Sequence, residues 1–353
     1  MNSKNKALVI GGQGVTGSYI IHELLAQGNW DVTGVARRVP EASSGPAVPF
    51  VSVDISDEAA CHAALTPLKG VTHIFFSARN DQGDYQQQSQ YNLKMLKHVV
   101  EAVDQPGNTD LQHIHLMHGM KAYGNMLGPF KTPAEETDPR VPLPLTYYAQ
   151  EDYVMARQPG RRWGWSSLRP GGVCGLTLGY SGNIVTILGI YGSICKAMGW
   201  PLWFPGSPAG FDVLRQVCNA DVLAKAALWV STHDQCANQA FNVHNGDVFR
   251  WRHLWPRIAR FFDVEPAGVV NLSLRDLMKD KAPLWSQLVE QHQLKSLALN
   301  QMVSWDYAQV FHNHWDSFAN ATRLQQSGFR EGADTAQSLL GYLAQLRQAR
   351  LIP

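Results

Sequence analysis

Residues 9–17 read VIGGQGVTG, and the glycines at positions 11, 14 and 17 give the spacing GxxGxxG. The motif follows an apolar run typical of a first strand and opens a helical pattern, the context that dinucleotide-binding turns require. The first glycine allows the tight turn, the second lets backbone amides approach a pyrophosphate, and the third lets the helix pack on the sheet. The predicted phosphate site consists of Gly11, Gly14, Val15, Thr16 and Gly17.

Around this motif, the first half of the chain alternates short apolar runs with helical patterns, as parallel α/β sheets do. The predicted strands are Ala7–Ile10, Asp31–Ala36, Phe50–Val53, Val71–Ser77, His113–Met117 and Trp165–Arg169. The predicted helices are Val15–Ala26, Asn92–Val103 and Gln150–Arg157. The pattern therefore predicts an α/β fold built on a Rossmann-type, doubly wound parallel sheet.

The second half of the chain loses this alternation. Residues 200–210 are rich in Trp, Pro and Gly, and helical patterns dominate from residue 251 onward. A length of 353 residues suggests about two domains. We therefore predict a dinucleotide-binding domain at residues 1–180, to which residues 218–247 return. A smaller, mostly helical substrate domain is predicted at residues 181–217 and 248–353.

Composition excludes several classes of protein. The chain has 30 Lys and Arg against 29 Asp and Glu, a net charge of +1, which gives no electrostatic signal for nucleic acid or an anionic membrane. The longest apolar region, Ile184–Cys195, falls short of the roughly 20 residues that span a bilayer. The five cysteines form no CxxC pair and are predicted to be reduced thiols. With no signal-peptide pattern, we expect a cytoplasmic protein that binds neither nucleic acid nor membrane.

The end of the second predicted strand indicates which dinucleotide is bound. NAD sites usually place an acidic residue there to accept from the ribose 2′-hydroxyl, whereas this chain has Arg37 and Arg38. A guanidinium can bind two oxygens of a 2′-phosphate at once, so the sequence favours NADP(H) as cofactor. Asp54 and Ile55, after the third predicted strand, are expected to border the adenine.

The catalytic pattern common in dinucleotide-binding reductases, Tyr-x-x-x-Lys, is absent. Tyr147 is followed at that spacing by Glu151, Tyr148 by Asp152, and Tyr153 by Arg157.

Two other passages carry a more specific resemblance. Residues 116–123 (LMHGMKAY), followed by Gly128-Pro129-Phe130, resemble the LQTGxKHYxGPF motif of progesterone 5β-reductase / iridoid synthase-like enzymes. Residues 147–152 (YYAQED) resemble the FYYxxED motif of that family. Further similar passages lie at residues 34–38, 54–57, 169–171, 194–196, 240–249 and 276–279. The chain thus resembles a bacterial-type member of this family of atypical extended short-chain dehydrogenases/reductases over nearly its whole length.

The resemblance implies roles for individual residues. The catalytic lysine, which the family carries after the fifth strand, falls on Lys121, and the catalytic tyrosine falls on Tyr147, which also contacts the cofactor. Gly171 and Val173 are expected to frame the nicotinamide through backbone groups. The remaining predicted cofactor residues are Ser77 and Ala78. The predicted substrate-pocket residues are Arg79, Phe130, Tyr148 and Tyr307.

The implied activity is NADPH-dependent ene-reduction of enones or enals, an oxidoreductase reaction on CH–CH groups. Hydride addition to the β-carbon of an enone drives charge onto the carbonyl oxygen. A tyrosine hydroxyl aimed at that oxygen stabilises the charge, and a nearby lysine adds positive potential. No residue is identified as the source of the proton for the α-carbon.

Some positions depart from the family pattern. Arg79 falls where plant members place a pocket Trp, and Tyr307 falls where they have a Phe. Both changes predict a more polar pocket, suited to a smaller or more polar enone or enal. His118 replaces the Thr of the LQTG motif, and with His113 and His115 it invites a metal-site hypothesis. No Cys, Asp or Glu of suitable spacing joins these histidines, so we predict no metal.

Three alternatives stay open at this stage. A carbonyl reductase would use the same Tyr and Lys to stabilise an alkoxide and would yield an allylic alcohol. A non-catalytic NADP(H)-sensing protein would usually lack both residues. A sugar epimerase of the same extended fold is disfavoured by the absent Tyr-x-x-x-Lys and the apolar, Trp-rich second half. The resemblance also implies a homodimer as one oligomeric state.

Overall fold

The computed structural model describes residues 4–38, 48–106, 110–176, 183–295 and 297–353. Its strands are β1 Asn5–Ile10, β2 Trp30–Ala36, β3 Phe50–Ser52, β4 His73–Phe76, β5 His113–Met117, β6 Gly164–Pro170, β7 Gly172–Cys174, β8 Leu202–Phe204, β9 Val217–Asn219, β10 Gln239–Val243 and β11 Pro266–Val269. Its α-helices are α1 Val15–Gln27, α2 Glu58–Leu65, α3 Tyr85–Val103, α4 Thr146–Arg157, α5 Ile184–Met198, α6 Pro208–Asp212, α7 Ala220–Thr232, α8 Trp251–Phe261, α9 Leu274–Met278, α10 Ala282–Gln291, α11 Leu299–Met302, α12 Thr322–Gln326 and α13 Thr335–Gln348. Short 3₁₀ helices cover Met120–Tyr123, Asp234–Cys236 and Trp305–His312.

One sheet of seven parallel strands organises the fold, in the order β3-β2-β1-β4-β5-β6-β10. The order reverses direction between β1 and β4, which creates the crevice where doubly wound sheets bind ligands. The predicted doubly wound parallel sheet is thereby confirmed. Its last strand, β10, pairs with β6 and comes from residues 218–247, which were predicted to return to the first domain. The domain boundaries themselves stay a prediction.

Two helices begin earlier than the sequence pattern predicted. Helix α3 starts at Tyr85 because Asp84 forms a capping box with Gln87, in which each side chain accepts from the other residue's backbone N–H. The first turns of this helix are polar, so the apolar periodicity on which the prediction rests does not reach back to its start. Helix α4 starts at Thr146 instead of at Gln150, so Tyr147 lies on the first turn of a helix. That turn sets the position of the predicted catalytic hydroxyl.

Apolar packing lies on both faces of the large sheet and, separately, around α5, α8 and α13. In the last of these cores the rings of Trp255 and Phe204 stand 5.1 Å apart, and those of Trp251 and Phe311 stand 5.2 Å apart. These tryptophans therefore build a core and do not line a pocket. All five cysteines are buried and unpaired. Among the described residues, no helix combines the length and the apolar character needed to span a membrane.

Candidate active site

The glycine turn between β1 and α1 is shaped to admit a phosphate. Gly11 has a φ of +78°, a conformation that glycine adopts without strain. A side chain on Gly17 would collide with the carbonyl oxygen of Gly11, so the helix could not approach the turn. Gly14 caps α1 without a side-chain hydrogen bond, which leaves the first-turn amides around Val15 and Thr16 facing the crevice. Together with the positive end of the helix dipole, this geometry fits a pyrophosphate.

The end of β4 closes the other side of this turn. A Cβ on Gly11 would lie 3.0 Å from the backbone nitrogen of Ala78, so the two backbones are nearly in contact. The backbone N–H of Ser77 donates to the carbonyl of Ile10 at 2.9 Å. The Ser77 hydroxyl is buried and has no hydrogen-bond partner among the described residues. An unpaired buried hydroxyl at this position fits a site completed by a polar ligand.

The region where an adenosine ribose would lie has two exposed guanidinium groups. Arg37 and Arg38 follow β2 directly, and Asp54 lies close enough for Arg37 to act on it electrostatically. Hydrogen bonds from the Ser56 hydroxyl and backbone N–H, at 2.7 and 2.9 Å, hold the pKa of Asp54 below its usual value. Ile55 is buried, and its carbonyl lies 3.0 Å from His98 Nδ1. The two arginines fit a 2′-phosphate better than a ribose hydroxyl.

Strand β7 brings the second predicted cofactor segment to the same crevice. Val173 lies on β7, and a Cβ on Gly175 just beyond it would lie 3.0 Å from Val15 Cγ2. A Cβ on Gly171 would lie 3.1 Å from the carbonyl oxygen of Gln216 and 3.8 Å from the sulfur of Met120. The predicted nicotinamide-framing residues therefore stand between the first turn of α1 and the loop that carries Lys121.

Tyr147 and Lys121 line one cavity, although their spacing differs from Tyr-x-x-x-Lys. Tyr147 is buried, and its hydroxyl lies 3.2 Å from where a Cβ on Gly119 would stand, beside the loop after β5. The cavity lining comprises Arg79, Tyr85, Gln88, Lys121, Leu145, Thr146 and Tyr147. Its volume is about 10 Å³, roughly the room for one water molecule.

Arg79 is the side chain closest to the predicted catalytic hydroxyl. Its Nη1 donates a short hydrogen bond to Tyr147 Oη, and its carbon Cζ lies 5.2 Å from the centre of the Tyr147 ring. Its Nη2 and Nε contact a single oxygen of Asp81, at 2.6 and 2.7 Å. Lys121 Nζ is 3.9 Å from the same oxygen. Burial and the Arg79 charge lower the pKa of Lys121, and Asp81 opposes them.

The other predicted pocket residues are placed differently. Tyr148 is buried, but its hydroxyl donates to the Ala122 carbonyl at 2.6 Å and accepts from the Val141 N–H at 2.9 Å. Phe130 packs on the small cluster around Met120. Tyr307 lies on the 3₁₀ helix Trp305–His312 and is 38% exposed. None of the three lines the cavity at Tyr147 in the described structure, so their pocket role stays a prediction.

A buried network of polar side chains packs against the Tyr147 ring. The His118 ring stacks on the Tyr147 ring with centroids 4.6 Å apart, and its Nδ1 lies 3.4 Å from Glu151 Oε1. The same carboxylate accepts from Arg169 at 3.0 Å and from the Ser167 hydroxyl at 3.0 Å. Burial alone would raise the pKa of Glu151, but His118 and Arg169 outweigh it and hold the pKa well below its usual range.

Sequence reasoning missed this network, although a signal was present. Glu151 stands four residues after Tyr147, a spacing that places both side chains on one face of α4. It had been noted only as the residue that replaces the expected lysine. Asp81, which joins Arg79 and Lys121, had no signal beyond its distance of two residues from Arg79.

The histidines of β5 lie close to a hydroxyl group on strand β6. His113 Nε2 and His115 Nδ1 both lie near the Ser166 hydroxyl, at 2.8 and 3.3 Å. Within the described ranges, no group of three or more His, Cys, Asp or Glu side chains could hold a metal ion.

The strand order and the glycine turn define the class of protein as a Rossmann-type α/β fold. The structure is similar to UDP-glucose 4-epimerase from Thermus thermophilus, solved in complex with NAD, with a TM-score of 0.67 and 18% identity over 98% of this chain and 99% of that chain. It is also similar to UDP-glucose 4-epimerase from Thermotoga maritima, with a TM-score of 0.68 and 17% identity over 97% and 99%. At such identities the likeness shows the fold alone.

Sequence comparison identifies the family. Residues 7–353 match the PRISE-like Rossmann-fold domain, and the chain belongs to that family. It is 31% identical to an (S)-8-oxocitronellyl enol synthase of Nepeta racemosa over 100% of this chain and 94% of that protein. It is 30% identical to the 3-oxo-Delta(4,5)-steroid 5-beta-reductase of Arabidopsis thaliana over 98% and 93%. The resemblance seen in the sequence motifs is thereby confirmed.

Proposed function

We propose that this protein is an NADPH-dependent ene-reductase that adds hydride to the C=C bond of enones or enals. The observation that carries the proposal is the cavity that both Tyr147 and Lys121 line. The full-length relatives, one a 5-beta-reductase of a 3-oxo steroid and the other an 8-oxocitronellyl enol synthase, support a reductase of conjugated carbonyl compounds.

The side chains at the cavity suit the charge that such a reaction develops. Because Arg79 donates to Tyr147 Oη, that oxygen is the acceptor of the pair. The hydroxyl also carries a hydrogen of its own. We assign that hydrogen to the substrate carbonyl oxygen, where negative charge builds as the enolate forms. Lys121 and Arg79 add positive potential at the same place. Such preorganised donors act strongly in a site that excludes water.

NADPH, once bound, supplies the hydride. The residues that would hold it are the glycine turn, Ser77 and Ala78 at the end of β4, and Val173 on β7. Arg37 and Arg38 would bind the 2′-phosphate, a preference that separates this chain from the epimerase solved with NAD. The small-molecule enone or enal substrate, the cytoplasmic location and a homodimer stay predictions from the sequence.

Turnover with product analysis tests the proposal. The purified protein is mixed with NADPH and 2-cyclohexen-1-one, and the products are separated and identified. We expect cyclohexanone, with NADPH preferred over NADH. The allylic alcohol would instead support a carbonyl reductase, which needs the same tyrosine and lysine. NADPH binding without turnover of any enone or enal would support a nucleotide-sensing protein.

A further inference from the structure

The cavity beside Tyr147 carries an excess of positive charge. Its two charged lining residues in the described structure, Arg79 and Lys121, are both cations. The carboxylate that faces them, Asp81, uses one oxygen for both, at 2.6 Å from Arg79 and 3.9 Å from Lys121. The Asp81 side chain is 60% exposed against 28% for Arg79, so it approaches the cations from the solvent side.

The backbone that presents Arg79 is held rigidly. Asn92 is fully buried on α3, and its side chain accepts from the Asn80 N–H at 2.8 Å and donates to the Asn80 carbonyl at 2.7 Å. Gln88 donates to the carbonyls of Asp81 and Gly83, at 3.0 and 2.8 Å. Both polar side chains thus hydrogen-bond to the backbone of this loop. Arg79 is therefore preorganised toward the cavity, which lowers the entropic cost of binding an anion.

We infer that the substrate carries a carboxylate close to its conjugated carbonyl, and that this carboxylate replaces Asp81 between Arg79 and Lys121. This inference rests on the proposed ene-reduction and names its substrate class, a short oxo-enoate. The Arg79 guanidinium contacts both the Asp81 oxygen and the Tyr147 hydroxyl. In a substrate whose carboxylate takes the place of Asp81, a carbonyl group hydrogen-bonded to Tyr147 would therefore be only a few bonds from that carboxylate. An exposed ion pair such as that of Asp81 is weak and readily exchanged.

A matched pair of probes isolates the charge. The acid (E)-4-oxopent-2-enoate and its methyl ester share the same conjugated ketone, and the ester lacks the anion. Because the ester group also makes the C=C bond more electrophilic, the change in the acid-to-ester ratio between wild type and variant is what isolates the charge. Wild type should reduce the acid with the higher kcat/KM. Arg79→Gln should lower the acid-to-ester ratio of kcat/KM roughly 10- to 100-fold, the size of a charged hydrogen bond. Asp81→Asn should lower KM for the acid and leave that for the ester unchanged, because it removes the competing carboxylate.

Controls separate this inference from the proposed function. Arg161→Gln removes a guanidinium that pairs with Asp104 outside the cavity and should leave the ratio unchanged. Binding of the saturated product, 4-oxopentanoate, is measured by calorimetry with wild type and Arg79→Gln. If the ester is reduced but the acid is not favoured, or the ratio survives Arg79→Gln, the inference is overturned and ene-reduction stands. If neither probe nor 2-cyclohexen-1-one is reduced, ene-reduction is contradicted. Arg79-dependent binding of 4-oxopentanoate then supports the anion site alone, and no binding overturns both. If 2-cyclohexen-1-one is reduced but neither probe is, the inference is overturned and ene-reduction stands.

Discussion

Two adjacent tyrosines at the start of α4 differ sharply in what their hydroxyl groups contact. Tyr147 Oη faces a cavity and accepts from Arg79, whereas Tyr148 Oη is bonded to the backbone of Ala122 and Val141. The family motif could place both residues near the site but could not separate their roles, because the direction of each side chain depends on where α4 begins. We assign chemistry to the first tyrosine and loop anchoring to the second.

Substitution of each tyrosine by phenylalanine tests this assignment. Tyr147→Phe should lower kcat by roughly 10²–10³-fold, the cost of losing one oxyanion donor, with the free energy of unfolding nearly unchanged. Tyr148→Phe should lower the free energy of unfolding by about 1–3 kcal/mol, because it strands buried backbone groups, with a much smaller loss of kcat. Steady-state kinetics and urea unfolding of both variants measure the difference. Equal losses of kcat would refute the assignment.

The proposed preference for NADPH rests on Arg37 and Arg38, which were identified from the sequence alone. Arg37→Ala should raise KM for NADPH roughly 10- to 100-fold and leave KM for NADH almost unchanged, since only the 2′-phosphate contact is lost. Arg330→Ala, which removes an exposed guanidinium bonded to the Gln325 carbonyl, is the matched control. A parallel rise of KM for both cofactors would mean that the arginine does not bind the 2′-phosphate.

At the scale of elements, α4 joins the site to the sheet. Tyr147 and Glu151 share one face, and Glu151 reaches Arg169 at the end of β6. Sequence periodicity could predict that α4 exists, but the partner of Glu151 comes from a strand that is distant in sequence. Tertiary contacts of this kind leave no local pattern to read.

Glu151→Gln should therefore be strongly destabilising. It leaves the buried guanidinium of Arg169 without its counter-ion, at a cost of about 3–5 kcal/mol. Asp152→Asn is the matched control, because Asp152 is the next residue, is exposed and pairs with Arg140 at the surface. Its expected cost is at most about 1 kcal/mol. Urea unfolding of the two variants gives the comparison, and similar values would show that the buried pair contributes little.

Strands β4 and β5 carry buried histidines that make stability depend on pH. Burial lowers the pKa of His73 to about 4 and that of His115 to about 3, and it lowers the pKa of His113 well below its usual value. In the unfolded chain these histidines bind protons below about pH 6.5, whereas in the folded protein they stay neutral to lower pH. Acidification therefore favours the unfolded state, which binds more protons. Their contribution to stability is complete above pH 6.5 and is lost as the pH falls toward 4.

Urea unfolding at pH 7.5, 6.5 and 5.5 measures this effect. We expect the free energy of unfolding to fall on acidification, by up to about 1.4 kcal/mol per pH unit for each histidine. Glu151 contributes in a separate pH range. Because its pKa is lower in the folded protein, its ionised form stabilises the fold above about pH 4.5, and this contribution is lost only at lower pH. Equal stability at pH 7.5 and 5.5 would contradict the assignment of neutral, buried histidines.

At the scale of the whole molecule, the glycine turn and the alternation of strands and helices were enough to predict the parallel sheet. Those signals are local, because a strand, a turn and a helix N-terminus adjoin along the chain. The cavity was not predictable, since Arg79 comes from the connection after β4, whereas Lys121 and Tyr147 lie far apart in the connection between β5 and β6. Motif resemblance could name these residues but not the hydrogen bond of Arg79 to Tyr147 or the shared contact with Asp81.

The most direct test of ene-reduction follows the hydride itself. NADPH carrying deuterium at C4 of the nicotinamide is supplied with 2-cyclohexen-1-one, and the product is examined by NMR and mass spectrometry. We predict deuterium on the β-carbon of cyclohexanone and an initial rate of its formation that falls roughly 10²–10³-fold in Tyr147→Phe. Deuterium on the carbinol carbon of an allylic alcohol would contradict 1,4-addition, as would a β-deuterated ketone formed equally well without the Tyr147 hydroxyl.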